Sequence, residues 1–298
     1  MIAAAAMHFS KRVLRRRRTT FRYFARKGLA RLPFLPVPIR LKLADGSQLN
    51  IWWSYMPGSN IEGLPLTDYW SSDRSDLQFV WSFLRPGMTF FDAGAYHGIY
   101  SVVAAKRLGL QGHITAFEPS ARERRRLGLH LEMNCSHVSV EPHAVTSQSG
   151  SFRFFTVVSG FTSMNSLVFP PTENPVWETN VHGICLDQYI ATTGIVTVDL
   201  MKLDIEGGEL DAFRGARQLL EVVRPLIICE VLDWVTRPWG YAAREIVEFL
   251  RKLDYQWLDF CEDGTLATHA ERDEYPDVRN YLAVPREKLP QIESWRRP

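Results

Sequence analysis

The chain has 298 residues, 46% hydrophobic, 12% aromatic and 23% charged, with 35 Lys+Arg against 33 Asp+Glu for a formal net charge of +2. These are ordinary globular proportions, and they exclude a chain that is disordered over most of its length, a collagen and a coiled coil. The charge is unevenly spread: residues 1–44 hold 12 Lys/Arg and no acid, which leaves 23 bases against 33 acids, a net of −10, in residues 45–298. A basic segment ahead of an acidic body signals an interaction surface more than a fold.

The opening MIAAAAMHFSKRVLRRRR has no basic stretch ahead of its short apolar run, which argues against a secretory signal, and the sequence has no run of about 18 apolar residues to span a bilayer. Cys135, Cys185, Cys229 and Cys261 are far apart and form no CxxC pair, so neither a zinc site nor a disulfide framework is expected, and a reducing cytoplasm is the expected location. Residues 1–44 read as a basic extension. Within it Phe21, Phe24, Ala25, Gly28 and Leu32 recur at near-helical spacing with Arg22, Arg26, Lys27 and Arg31 between them, which predicts a cationic amphipathic helix. Three roles stay open for it: a solvated tail, a peripheral tether to an anionic membrane, and a nucleic-acid contact.

The Pro-rich LPFLPVP ends that helix, and IRLKLADGSQLNIWW, with Asp45-Gly46 at the turn, predicts a small strand pair leading through residues 45–75 into a main domain over 76–298. From there apolar strands alternate with amphipathic helices. Strands are expected at 89–94, 113–119, 138–145, 198–206, 225–232, 255–260 and 280–285, and helices at 76–84, 98–108, 120–134, 207–222 and 242–253. This is the pattern of an α/β three-layer sandwich with a mostly parallel seven-stranded sheet. Residues 150–190 are less regular, with SFRFFTVV as a strand and FTSMNSLVFPPTENP as a long loop of the kind that carries function.

The chemistry sits at strand ends. FFDAGAYHGIYSVVAA ends an apolar strand on Asp92, turns through Gly94 and Ala95, and enters a helix at Gly98. A carboxylate at that end of a parallel strand faces the crevice where α/β sheets bind ligands, while the glycines permit a tight turn and a close approach. The spacing is DxGxxxG and not the GxGxxG of a nicotinamide fold, and a carboxylate beside the turn repels phosphate and attracts an ammonium or sulfonium group. S-adenosylmethionine carries both. Twenty-four residues after Gly94, ITAFEP ends on Glu118, placed to accept hydrogen bonds from ribose hydroxyls. The bland alternative makes Asp92 a helix cap and Glu118 a solvated charge. A third element, VDLMKLDIEGGELDAFRGA, ends on Asp204 with Glu206 two residues on; persistent extended chain would put both carboxylates on one face, suited to substrate binding, a base role or metal ligation. Helix capping is the alternative for these two. Glu230, at the end of PLIICE, repeats the arrangement.

Together these motifs resemble the FkbM family of S-adenosylmethionine-dependent methyltransferases from about Leu77 to Pro285. RPGMTFFDAGAYHGIYS is similar to the family's first motif, ITAFEPS to its second, LDQYI at 186–190 to the segment before the fourth strand, and KLDIEGGELDAFRGA to its most characteristic block, followed by RPLIICEV and NYLAVP. The resemblance implies a class I (Rossmann-like) methyltransferase fold with the last of seven strands antiparallel. It also implies O-methylation of a hydroxyl on a sugar, glycolipid, polysaccharide or polyketide.

On that reading Asp92, Gly94, Ala95, Gly98, Glu118 and Ala144 bind the cofactor, with adenine held by backbone near His143 and Ala144. The proton of the acceptor hydroxyl goes first to Asp204, second to Glu206, with His97 as an outside candidate because a histidine titrates in the right range. Nothing in the spacing demands a metal, and magnesium is left open. The rival functions are RNA methylation using the basic tail, with no NPPY or DPPY tetrad to support amino-group chemistry, a nicotinamide oxidoreductase, and a non-catalytic nucleotide-binding module. Acceptor contacts are expected from 150–182 and 232–242, where Phe161, Asn165, Trp177, Trp234 and Trp239 can stack or pack.

Overall fold

A computed structural model describes residues 39–42, 46–51, 75–134, 136–158 and 163–297. The expected amphipathic helix of the basic segment lies outside the described residues, as do Phe161 and Cys135. No helix among the described residues is long and apolar enough to cross a membrane.

The expected strand pair is present: β1 (Ile39–Lys42) runs antiparallel to β2 (Gln48–Ile51), with Lys42 opposite Gln48. It begins inside the segment read as basic extension, because the charge count located the first acid and not the first alternating apolar residues. A reciprocal pair of 2.7 Å hydrogen bonds, Gln48 N to Asn134 Oδ1 and Asn134 Nδ2 to Gln48 O, ties it to the end of a helix of the main domain.

Helix α1 (Ser75–Phe83) leads into β3 (Thr89–Ala93), α2 (Ile99–Leu108), β4 (His113–Phe117), α3 (Ala121–Met133) and β5 (Ser139–Glu141). The predicted strand 138–145 is in fact two: Pro142 supplies no N–H to a ladder, and the chain leaves the large sheet there to begin β6 (His143–Val145). β7 (Gly150–Val157) follows, and β8 (Val176–Ile184), a strand absent from the sequence reading, completes a small sheet of order β6-β8-β7. The VWETNVHGI sequence concealed it, since most of that strand is exposed and lacks an apolar face.

The chain then returns through α4 (Leu186–Thr193), β9 (Leu200–Leu203), α5 (Glu209–Arg214), β10 (Leu226–Glu230), α6 (Asp233–Thr236), α7 (Arg244–Arg251), β11 (Tyr255–Phe260), β12 (Leu266–Thr268) and β13 (Asn280–Pro285). The expected helix 207–222 is shorter, its second half a π-helical turn at Leu219–Val223. The large sheet has order β12-β11-β13-β10-β9-β3-β4-β5. Seven of its strands are those expected, β13 is antiparallel to both neighbours, and the three-residue β12 is an eighth at the edge. The order reverses between β3 and β9, which opens a crevice at their carboxyl ends.

Both faces are covered, so the central strands read as continuous apolar runs. Phe91, Ala93, Phe117, Met201 and Leu203 pack under Leu186, Leu210, Phe213 and Ile246 on one face. Phe90, Ile114, Ala116 and Leu200 pack under Leu77, Val102, Val103 and Leu127 on the other.

Candidate active site

The switch point between β3, β4 and β9 opens into a cavity of about 550 Å³ including its mouth, within the range of small-molecule sites. Its lining includes Gly94, Tyr96, Glu118, His143 and Ala144 together with Asn165, Ser166, Asp204, Glu206 and Trp239. Of the expected site residues, Gly94, Glu118, Ala144, Asp204 and Glu206 therefore face one space.

The turn after β3 is folded back on β4: Gly94 N and Ala95 N both donate to Phe117 O at 3.0 Å, and Tyr96 N donates to Glu118 Oε2 at 2.9 Å. Gly94 has φ +78°, and a Cβ there would stand 1.8 Å from the carbonyl oxygen of Asp204. The reason for this glycine is thus contact between the ends of β3 and β9. Gly98, at φ +80°, has a different neighbour from the one expected: its missing Cβ would meet Leu127 of α3 at 2.0 Å, so it serves helix packing, and neither it nor Ala95 lines the cavity.

Asp92 is 1% exposed. Its Oδ2 accepts the Ser101 hydroxyl at 2.5 Å in the first turn of α2, while Oδ1 is buried with no hydrogen-bond partner. One oxygen of this carboxylate thus binds a side chain of α2, the other has no partner among the described residues, and Asp92 is not part of the cavity lining. Burial pushes its pKa up, against the pull of Lys202 and Ser101.

Glu118 is buried, so it is not a solvated charge. Its Oε1 accepts Ser120 N at 2.8 Å where α3 begins. Burial pushes its pKa up to about 8; Glu123 adds to the shift, and the amides of Ser120 and Tyr96 and the charge of Arg124 oppose it. With an ordinary value near 4.5 when unfolded, its contribution to stability is full below that value and is lost as pH rises through about 8. Glu118→Gln is therefore expected to gain on wild type in cofactor-free thermal melts as pH rises from 5 to 9. If Glu118 holds the ribose hydroxyls it does so in its ionised form, and wild-type affinity for S-adenosylmethionine should rise over the same window while that of the variant stays flat. Titration calorimetry with parallel pH profiles for the two proteins would refute this.

Asp204 and Glu206 do not share a strand face, because β9 ends at Leu203; the chain turns, with Glu206 at φ +56° and Gly207 at φ +93°. The turn is pinned from several sides. Ser166 Oγ (3.0 Å) and Trp239 Nε1 (3.1 Å) both donate to Glu206 O, Tyr241 Oη donates to Gly207 O at 2.6 Å, and Ile205 N donates to Glu209 Oε1 at 2.9 Å. A Cβ on Gly207 would stand 2.2 Å from Val235 O. The turn thus brings the two carboxylates together despite the break in the strand. Burial first, then the charges of Asp204 and Glu209, push the Glu206 pKa well up, and burial raises Glu209 to about 7.

The sequence reading missed Lys202. It is 2% exposed, its Nζ lies 2.6 Å from Asp204 Oδ2 and 4.7 Å from the centre of the Tyr100 ring, and against burial the charges of Asp204, Asp92 and Glu230 hold its pKa up. The signal was available: a lone cation within the apolar run VDLMKL is rarely buried unless paired. Glu141 was also overlooked as a strand-end acid because the third strand was drawn too long; it accepts Tyr189 Oη at 3.1 Å and lies 3.4 Å from His143 Nδ1.

His97 turns away from the cavity lining. Its Nε2 lies 2.7 Å from Glu123 Oε2 and 3.1 Å from Arg126 Nη1, and burial lowers its pKa to about 4. It anchors the turn to α3, and a value so low does not match base chemistry near neutrality. Trp177 and Trp234 are exposed and outside the cavity lining, whereas Asn165 and Trp239 are part of it.

The sequence model described as the methyltransferase FkbM domain matches residues 92–257, more than half of the chain. No curated protein matches. Among solved structures the chain is similar to a methyltransferase FkbM from Methylobacillus flagellatus KT, at 15% identity and TM-score 0.43, over 70% of this chain and 50% of that one. It thus spans about half the length of that relative. It is also similar to a SAM-dependent methyltransferase from Agrobacterium tumefaciens (10% identity, TM-score 0.46, 85% and 71% covered). A third is a methyltransferase from Streptococcus mutans in complex with SAH (11% identity, TM-score 0.40, 70% and 94% covered). The family match spans the turn after β3 and the DIEGGEL turn, and the chain belongs to the FkbM family of S-adenosylmethionine-dependent methyltransferases.

Proposed function

We propose that the chain is an O-methyltransferase that moves the methyl group of S-adenosylmethionine to a hydroxyl of a glycan, glycolipid or polyketide-type acceptor. The observation that supports the reading is that one cavity is lined both by Gly94, Glu118 and Ala144, which we assign to the cofactor, and by Asp204 and Glu206, which we assign to the acceptor. An attacking oxygen must lie in line with the methyl carbon and sulfur, and alignment of this kind supplies a large part of the rate. The oxygen–carbon bond forms as the carbon–sulfur bond breaks, sulfur keeps the electron pair and becomes a neutral thioether, and the hydroxyl proton passes to Asp204 or Glu206.

The lining also speaks to the acceptor. Asn165, Ser163 and Ser166 offer hydrogen bonds and Trp239 an apolar face, as a sugar ring requires. Next to the main cavity is a smaller one of about 200 Å³ that shares Ser166, Glu206 and Trp239 with it and is otherwise walled by Met164, Val168, Phe169, Pro170, Pro171, Val235 and Pro238. An apolar room beside a polar one favours an acceptor that joins both kinds of surface, such as a glycolipid or a glycosylated polyketide, over a bare polysaccharide.

The test is methyl transfer from S-adenosylmethionine labelled in its methyl group to representatives of each acceptor class and to RNA, with calorimetric titration of S-adenosylmethionine and NAD alongside. Label on a hydroxyl is the expected result. Label on RNA, or tight NAD binding without S-adenosylmethionine binding, would overturn the reading.

A further inference from the structure

The carboxylates at the ends of β9 and β10 form a set whose charge the described side chains do not balance. Asp204, Glu206 and Glu230 each offer an oxygen, and the three oxygens lie within 4.8 Å of one another. Glu230 is 8% exposed at the last position of β10, and its Oε2 is buried with no hydrogen-bond partner. A buried polar atom without a partner costs about 1–3 kcal/mol, more when it is charged, and calls for a ligand. One cation, Lys202, acts on this group, and it is shared: its Nζ bonds Asp204 Oδ2 and its charge also acts on Asp92. Four carboxylates thus surround one ammonium.

We infer that Asp204, Glu206 and Glu230 bind a divalent cation of the magnesium or manganese kind at the floor of the acceptor cavity. Hard cations take oxygen ligands at about 2.1 Å for magnesium and 2.3–2.6 Å for calcium. Three oxygens no more than 4.8 Å apart lie within about 2.8 Å of a common point, so all can reach one ion, with a shift of a few tenths of an ångström for a calcium-sized ion and of at most about 0.7 Å for magnesium. Lys202 occupies one oxygen of Asp204 and leaves the other to the ion. Asp204 and Glu206 also line the cavity, so the ion has protein on one side and an open face toward the acceptor.

Its role rests on the methyl-transfer reading: bound there, the cation would hold the acceptor oxygen and lower the pKa of its proton, as metal-bound hydroxyls and waters do. Binding of the ion does not depend on that reading and is measured without turnover. The full chain, freed of metal by chelator and dialysis, is titrated with Mn²⁺ and the free ion followed by its electron paramagnetic resonance signal. One Mn²⁺ per chain should be taken up and displaced by excess Mg²⁺. Glu230→Gln and Glu206→Gln should each weaken uptake by at least the roughly 10–100-fold that loss of an outer-shell partner costs. Wild-type protein that takes up no Mn²⁺ overturns the proposal even if both variants fail to fold. Folded variants that bind as tightly as wild type overturn it as well, since the ion would then sit elsewhere. Uptake of Mn²⁺ with no methyl transfer to any hydroxyl would keep the site and sink the acceptor reading instead.

Discussion

Asp204→Asn is expected to lower the rate of methyl transfer by about 10²–10⁴-fold, the usual range for loss of a positioned general base, while S-adenosylmethionine binds within a few-fold of wild type. The substitution keeps the shape of the side chain and an oxygen that can accept the hydrogen bond of Lys202, so the buried ammonium stays partnered. The ability to take a proton is what disappears. Glu206→Gln is the informative companion, because the Glu206 carboxylate faces the same cavity and burial pushes its pKa up. Single-turnover rates on a reactive acceptor, with saturating Mg²⁺ and without it, decide the assignment. Collapse with Asp204→Asn alone that saturating Mg²⁺ does not restore gives the base role to Asp204; the same result with Glu206→Gln alone gives it to Glu206, and a rate restored by Mg²⁺ marks a ligand and not a base. Full activity in both variants would end the carboxylate-base reading.

Gly94→Ala should destabilise the fold by about 2–6 kcal/mol, as the sum of backbone strain at a positive φ and overpacking against fixed backbone. The added methyl would meet the Asp204 carbonyl at 1.8 Å, and a strand end cannot step aside as a flexible side chain can. The molecule contains its own control. Gly87 has φ +92° with nothing within 4 Å of its missing Cβ, so Gly87→Ala carries the strain without the collision. Urea denaturation of both variants separates the two contributions. If Gly94→Ala is no less stable than Gly87→Ala, the close approach of the β3 and β9 ends is not as described. Displacement at this point also moves Asp204 itself, so the variant should lose turnover out of proportion to its loss of stability.

The features most legible in the sequence were those with a strong physical signature. Buried parallel strands are uniformly apolar until they end, so Asp92, Glu118, Asp204 and Glu230 stood out as carboxylates at strand termini, and seven strands of the large sheet followed from the alternation. β8 gave no such signature, because its outward residues, from Trp177 to Asn180, face solvent. The strand expected over 138–145 runs across Pro142, which is the point at which the chain changes sheets. At the site, residue identity was easier to read than direction. His97 follows the turn as expected, yet its ring is drawn to Glu123, a partner 26 residues away. Lys202 was hidden by its neighbours: within an apolar run one cation looks like an exception until the acid it bonds is located in space.

The carbonyl of Glu206 receives hydrogen bonds from two residues of the cavity lining, Ser166 from the loop after β7 and Trp239 from the turn after α6. These two residues and the turn at Glu206 are therefore one mechanical unit. A substitution at either residue that admits a different acceptor also releases a restraint on the backbone that carries the Glu206 carboxylate. Selectivity in this enzyme is consequently tied to turnover: acceptors that fit poorly should bind and then react slowly, and evolution toward a new acceptor has to change both residues while keeping that carbonyl held.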